Sequence, residues 1–320
     1  MKSLKLKNMI KKIYIAGHNG MVGSAIYRKL IKKKKYKIIT ASKKKLNLLN
    51  QKDTFNFLNK NKPDLVINAA AKVGGIYANN SYKTEFLYNN LQIQNNLIYS
   101  SHELEIDNFI FLGSSCIYPK FSKQPIKEKY LLSSYLENSN EPYAISKIAG
   151  LKLCESIQSQ YKRNYFSLMP SNLYGTNDNY EDLNAHVIPA LINKIHFAKI
   201  TNSPNVEVWG TGKPKREFMH VDDLADACLF LINKKIKFSY INIGSSEEIS
   251  IKNLVKLLCK IIGYRGKIKY NKKFPDGTPR KKLDISKIKK LGWSNNIKLS
   301  EGLERTYKEY KKKIGRNINF

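Results

Sequence analysis

Acidic residues are scarce in this sequence. Asp and Glu total 25 against 57 Lys and Arg in 320 residues, a formal net charge of +32. Arginine is scarce as well, with seven residues, so almost all of the positive charge is lysine. Proteins that bind polyanions concentrate such charge in basic clusters. Here the runs Lys32–Lys35, Lys43–Lys45, Lys281–Lys282 and Lys311–Lys313 are short and far apart. The chain also holds 33 Asn and 36 Ile, which share A/T-rich codons with lysine. Biased base composition accounts for the charge, and no nucleic-acid or membrane partner is expected.

Cysteine is sparse too. Cys116, Cys154, Cys228 and Cys259 lie 38, 74 and 31 residues apart, which excludes the paired spacing of a zinc site or a disulfide framework. No apolar run reaches the ~18 residues of a membrane-spanning helix. The first apolar stretch, Ile13–Ala16, is shorter than the ~7–15 residues of a signal-peptide core. These absences lead to the expectation of a reduced, cytoplasmic protein without a metal. What is present is a generous core composition: 42% of residues are apolar and 11% aromatic. At ~150 residues per domain the length suits about two domains.

The first half alternates short apolar runs with helical stretches. Strands are predicted at Lys12–Ala16, Tyr36–Ala41, Leu65–Asn68, Phe109–Leu112 and Tyr165–Met169. Helices are predicted at Met21–Leu30, Lys52–Asn59, Thr84–Glu103 and Tyr143–Tyr161. Strict alternation at this spacing predicts an α/β fold with a doubly wound parallel sheet. After Pro170 the pattern loosens into loops rich in Asn, Asp, Pro and Gly. Phe218–Val221 and Ile241–Ile243 read as strands that return to the sheet. The expected division is a dinucleotide-binding domain at 1–170 plus about 218–245. A smaller, discontinuous substrate domain takes about 171–217 plus 246–320.

Gly17-His18-Asn19-Gly20-Met21-Val22-Gly23 follows the first strand and opens the first helix. Glycines there permit a tight turn and close approach of the backbone. The helix N-terminus offers free N–H groups to a pyrophosphate. An acid at the end of the second strand would bind the ribose 2′-hydroxyl of NAD. This strand runs instead into Ser42-Lys43-Lys44-Lys45, which favours the 2′-phosphate of NADP.

Tyr143 and Lys147 stand four residues apart, on one face of a predicted helix. A neighbouring ammonium is expected to lower the tyrosine pKa and make it a usable proton donor and acceptor. Ser114 and Cys116 follow the fourth strand, at whose carboxyl end ligands bind in such folds. A serine there suits a substrate carbonyl.

Together these motifs resemble the extended short-chain dehydrogenase/reductase family, whose members share the Rossmann-like fold. Several longer stretches resemble its GDP-L-fucose synthase group. They are Ala69–Ile76, Leu112–Pro119, Asn140–Lys147, Met169–Gly175, Asn184–Leu191, Arg216–Asp223 and Pro275–Lys281. The resemblance implies an NADP(H)-dependent enzyme acting on a GDP-linked keto-deoxy sugar. It would epimerise C3 and C5 and then reduce the C4 ketone.

By the same likeness Cys116 is the base, His186 the acid, and Tyr143, Ser114 and Lys147 the reductase set. Cofactor contacts fall on Gly17, Asn19, Gly20, Met21, Val22, Gly23, Lys43, Leu112, Lys147, Pro170, Asn172, Leu173 and His186. Substrate contacts fall on Lys194, Trp209, Arg216, Asp276 and Lys281. A homodimer built on Thr84–Glu103 and Tyr143–Tyr161 is implied as well. Two residues depart from the group: Asn19 and Lys194 each stand where an arginine is usual. A related activity on a GDP-linked dideoxyhexose or 6-deoxy-heptose stays open, as does a sugar-nucleotide 4-epimerase or 4,6-dehydratase. A non-catalytic polyanion-binding protein is the reading from another class.

Overall fold

A computed structural model describes residues 10–181, 185–274 and 276–317. Asn184 and Pro275, both within stretches that carry the resemblance, lie outside the described residues. The first half forms β1 (Lys12–Ala16), α1 (Met21–Ile31), β2 (Lys37–Ile39), α2 (Gln51–Asn61), β3 (Leu65–Asn68), α3 (Ile76–Ser81), α4 (Lys83–Glu103), β4 (Asn108–Leu112), α5 (Glu141–Tyr161) and β5 (Asn164–Pro170). The second half forms β6 (Asn172–Tyr174), α6 (Val187–Ile200), β7 (Asn205–Trp209), β8 (Lys215–His220), α7 (Val221–Leu231), β9 (Tyr240–Ile243), β10 (Glu248–Ser250), α8 (Ile251–Ile262), β11 (Lys267–Asn271), β12 (Arg280–Lys281), α9 (Ser286–Lys290) and α10 (Leu299–Asn317).

Six strands form the main sheet in the order β2-β1-β3-β4-β5-β9, every pair parallel. β3 is buried throughout, and β4 and β5 are buried in all but their first residue, because helices cover both faces. The chain leaves β1 for β2 on one side and later places β3 on the other. That reversal opens a crevice at the carboxyl ends of β1 and β3, where ligands bind in such sheets. Local signals set the helix ends. Asn50 caps α2 by accepting from Asp53 N at 3.0 Å. Pro142 sits in the first turn of α5, where its missing N–H costs nothing.

Ile241–Ile243 returns to the main sheet as β9, paired with β5. Phe218–Val221 does not. Its strand, β8, pairs with β6, β10 and β12 in a second sheet, and Met219 on β8 and the following helix, α7, pack back against the first core. The main sheet already has β9 beside β5, so β8 finds its partners in the short strands around it.

Two apolar clusters lie beneath these sheets. The larger one surrounds the six-stranded sheet, and the smaller one joins α6, α8, α10, β7 and β8. Leu283, Ile285, Ile288 and Trp293 belong to the larger cluster, although their segment was expected in the second domain. The chain turns back after Lys281: Leu283 bridges to Ile126, and Asn242 Nδ2 donates to Asp284 O at 3.1 Å. Glu217 ties this crossing together. Its buried carboxylate accepts from Ser246 N at 2.7 Å and Leu283 N at 2.8 Å.

Candidate active site

The loop between β1 and α1 is shaped by what its glycines lack. Gly17 has φ +79°, and a Cβ there would lie 2.7 Å from the Ala70 backbone. A Cβ on Gly23 would lie 2.1 Å from Gly17 O. Gly20 is different: its Cβ would meet only Gly17 O, at 3.5 Å. No side chain caps α1 and its first turn holds no acid, so its leading N–H groups and the positive end of its dipole are offered to an anion. The cradle therefore fits the pyrophosphate of a dinucleotide. Met21 and Val22 begin α1, Asn19 is exposed at the loop tip, and Lys43 is exposed in the turn after β2. Pro170 ends β5 and Leu173 lies in β6. Asn172 is pinned by donation from Nδ2 to Glu217 O at 2.8 Å.

The carboxyl end of β4 and the start of α5 bring the chemistry together. Ser114 accepts from Cys116 N at 3.2 Å, which folds the chain after β4 into a tight turn. A hydrogen bond joins Ser114 to the Tyr143 hydroxyl. Lys147 extends under this pair and donates to Leu112 O at 2.9 Å. Its Nζ is 5.8 Å from the centre of the Tyr143 ring.

The expected lowering of the Tyr143 pKa does not appear. Burial holds it above the usual tyrosine value, the Cys116 charge adds to this, and the Ser114 bond only partly offsets both. Lys147 is itself buried, and burial lowers its pKa to about 7. A partly neutral lysine bonded to a carbonyl has little charge to lend its neighbour.

Three donors or cations gather at the Cys116 sulfur. Asn140 Nδ2 and Lys281 Nζ each donate to Sγ at 3.4 Å, and Arg216 interacts electrostatically with the same group. Lys281, read from sequence as a substrate contact, thus has its ammonium on the thiol. His186 stands just before α6 and keeps an open edge at the surface, yet the protein packed around its ring holds its pKa below the usual histidine value. Among the described residues no hydrogen bond links it to Cys116.

The remaining predicted contacts gather around Trp209 and Arg216. Trp209 stacks on Phe274 with centroids 4.3 Å apart and planes at 12°, and both rings are exposed. Lys194 Nζ lies 4.6 Å above the Trp209 ring. Asp276 accepts from Thr211 N at 2.7 Å and Thr211 Oγ1 at 2.6 Å, so it clasps the turn after Trp209. Burial lowers the Arg216 pKa, and Asp276, Cys116 and Glu137 oppose that shift. Asn140, Glu137 and Phe274 were not singled out from sequence. Asn140 had a signal, its place just before Tyr143 in a matching stretch; Glu137 and Phe274 had none.

Comparison with known proteins agrees with this geometry. A family model described as the NAD dependent epimerase/dehydratase family matches residues 13–244. GDP-L-fucose synthase 1 of Arabidopsis thaliana is 48% identical over 303 residues, covering 95% of this chain and 94% of that protein. GDP-L-fucose synthase of Escherichia coli K12 is 46% identical over 306 residues, covering 93% and 95%. Among solved structures, a GDP-mannoheptose C4 reductase from Campylobacter jejuni with NADP bound superposes with a TM-score of 0.86 at 34% identity, covering 94% and 98%. With a family match across most of its length and the cradle and Ser-Tyr-Lys set in place, the chain belongs to the NAD dependent epimerase/dehydratase family.

Proposed function

We propose that this chain is an NADP(H)-dependent epimerase and reductase that converts GDP-4-keto-6-deoxy-D-mannose to GDP-L-fucose. The observation that carries the reading is Cys116, set two residues from Ser114 and held among Asn140, Lys281 and Arg216, beside Tyr143. A plain reductase needs the Ser-Tyr-Lys set alone. A cysteine supplied with donors adds a second proton-transfer group. The names of the Arabidopsis and E. coli relatives support the same substrate.

Protons on C3 and C5 of the sugar are acidic because they flank the C4 ketone. Cys116 removes a proton from one face and His186 returns one from the other. The enolate oxygen accepts hydrogen bonds from Tyr143 and Ser114, a preorganised donor pair outside bulk water. NADPH, when bound, supplies the reducing equivalents for C4. Tyr143 then gives its proton to the C4 oxygen. Arg216, with its guanidinium fork, binds the diphosphate, and the Trp209–Phe274 stack with Lys194 borders the nucleotide.

Incubation with NADPH and the keto-sugar in deuterated water tests the reading. GDP-L-fucose labelled at C3 and C5, identified by NMR, is the expected product. A reduced sugar without label would instead favour a C4 reductase on a GDP-linked heptose, the activity named for the C. jejuni neighbour. No turnover of this sugar, nor of a GDP-linked 4-keto-heptose offered in parallel, would sink both.

The protein is also proposed to act in the cytoplasm as a homodimer. Tyr88 and Tyr99 on α4, with Ile145 and Tyr161 on α5, are exposed apolar side chains on adjacent helices and support that pairing. Sedimentation at 10- and 100-fold dilution checks it.

A further inference from the structure

We infer that Lys281 and Asn140 are positioning residues that hold the Cys116 sulfur as a proton acceptor. The inference rests on the proposed epimerase activity for the identity of the proton, but not for the state of the sulfur. Among the described residues, every hydrogen bond to Sγ comes from a donor. Lys281 brings an ammonium, which has no acceptor at all, and Asn140 brings its amide N–H, both at 3.4 Å. Among the described residues no carbonyl or carboxylate is bonded to Sγ, so no group is placed to receive a thiol proton. A neutral thiol is a weak acceptor, whereas a negatively charged sulfur gains charge-assisted bonds from both partners.

The supports are rigid. Lys281 lies on β12, paired with Arg216 on β8. Asn140 immediately precedes α5, three residues from Tyr143, and its backbone N–H bonds Glu137 O at 3.1 Å. Its Oδ1 is buried without a partner, so its amide is oriented by the sulfur. The other cysteines provide a contrast. Cys154 and Cys228 are fully buried, and burial lifts both thiol pKa values, that of Cys228 to about 12.

Carbamidomethylation by iodoacetamide reads the sulfur directly and needs no substrate. It forms an S–C bond at the thiolate and releases iodide. The rate at Cys116 is followed by peptide mass spectrometry, with Cys116→Ser as blank. Lys281→Gln is expected to slow it at least about tenfold near pH 7, the scale of one lost charge-assisted hydrogen bond. It should also move the midpoint of the pH–rate profile upward. Lys281→Arg should restore most of the rate, and Asn140→Ala should lower it by roughly threefold, the smaller loss expected of an uncharged donor. Wild-type rates and midpoints in both Lys281→Gln and Asn140→Ala would overturn the inference. Unlabelled product from the wild-type enzyme would remove the epimerase reading and leave the alkylation result standing.

Discussion

The two ends of the cleft are built by opposite means. At the cofactor end, function depends on side chains that are missing. Gly17 and Gly23 stand where any Cβ would strike backbone, and the helix offers bare N–H groups. At the proposed substrate end, function depends on side chains that converge: Cys116, Asn140, Arg216, Asp276 and Lys281 come from four separate stretches. Damage at the first end acts through the backbone and is felt as misfolding or lost cofactor. Damage at the second acts on proton and charge, with the fold intact.

Five substitutions test that contrast. Tyr143→Phe removes the proton donor from the chemical end and should slow NADPH oxidation with keto-sugar by about 10²–10⁴-fold at unchanged melting temperature. A near-normal rate would assign the proton elsewhere. Gly23→Ala and Gly20→Ala divide the cradle. The first should destabilise the protein by about 1–3 kcal/mol through overpacking, while the second should melt with the wild type. Equal melting temperatures would refute the steric account.

Lys147 belongs to both ends. Its folded pKa of about 7 lies below that of an unfolded lysine, ~10.4, so between these values the unfolded chain binds more protons. Stability of the cofactor-free protein should therefore rise with pH from 7 to 10, by up to about 1 kcal/mol per unit. Lys147→Met should flatten that rise in thermal melts; a parallel curve would contradict it. The smallest effect is expected from Lys43→Gln, an exposed charge. Its loss should reduce the preference for NADPH over NADH roughly two- to fivefold in kcat/KM.

The contrast also explains what could be read from the sequence. The main sheet was legible because each strand is a local apolar run and each helix has its own period. The cradle was legible for the same reason, since its constraints lie within seven consecutive residues. β8 was misplaced because an apolar strand does not announce its partner; pairing with β6, β10 and β12 is decided by which edges are free. Lys281 was grouped with the substrate end from its stretch, but its contact with a thiol 165 positions away is a tertiary fact. The Tyr143–Lys147 pair was visible, and the sign of its electrostatics was not. Spacing places two groups together without telling how deeply the chain buries them.

The pairing of Lys281 with Arg216 has a metric consequence. Residues matched across parallel strands sit ~4.8 Å apart and face the same side of the sheet. On the proposed reading, the cation at the sulfur and the cation for the diphosphate are thus neighbouring marks on one rigid scale. A nucleotide sugar is measured by the span from its phosphates to the carbon that loses a proton. A sugar joined through a longer or shorter bridge would reach the sulfur with the wrong atom. On that reading, selection by reach would be set by backbone hydrogen bonds, which no single side-chain replacement can easily retune.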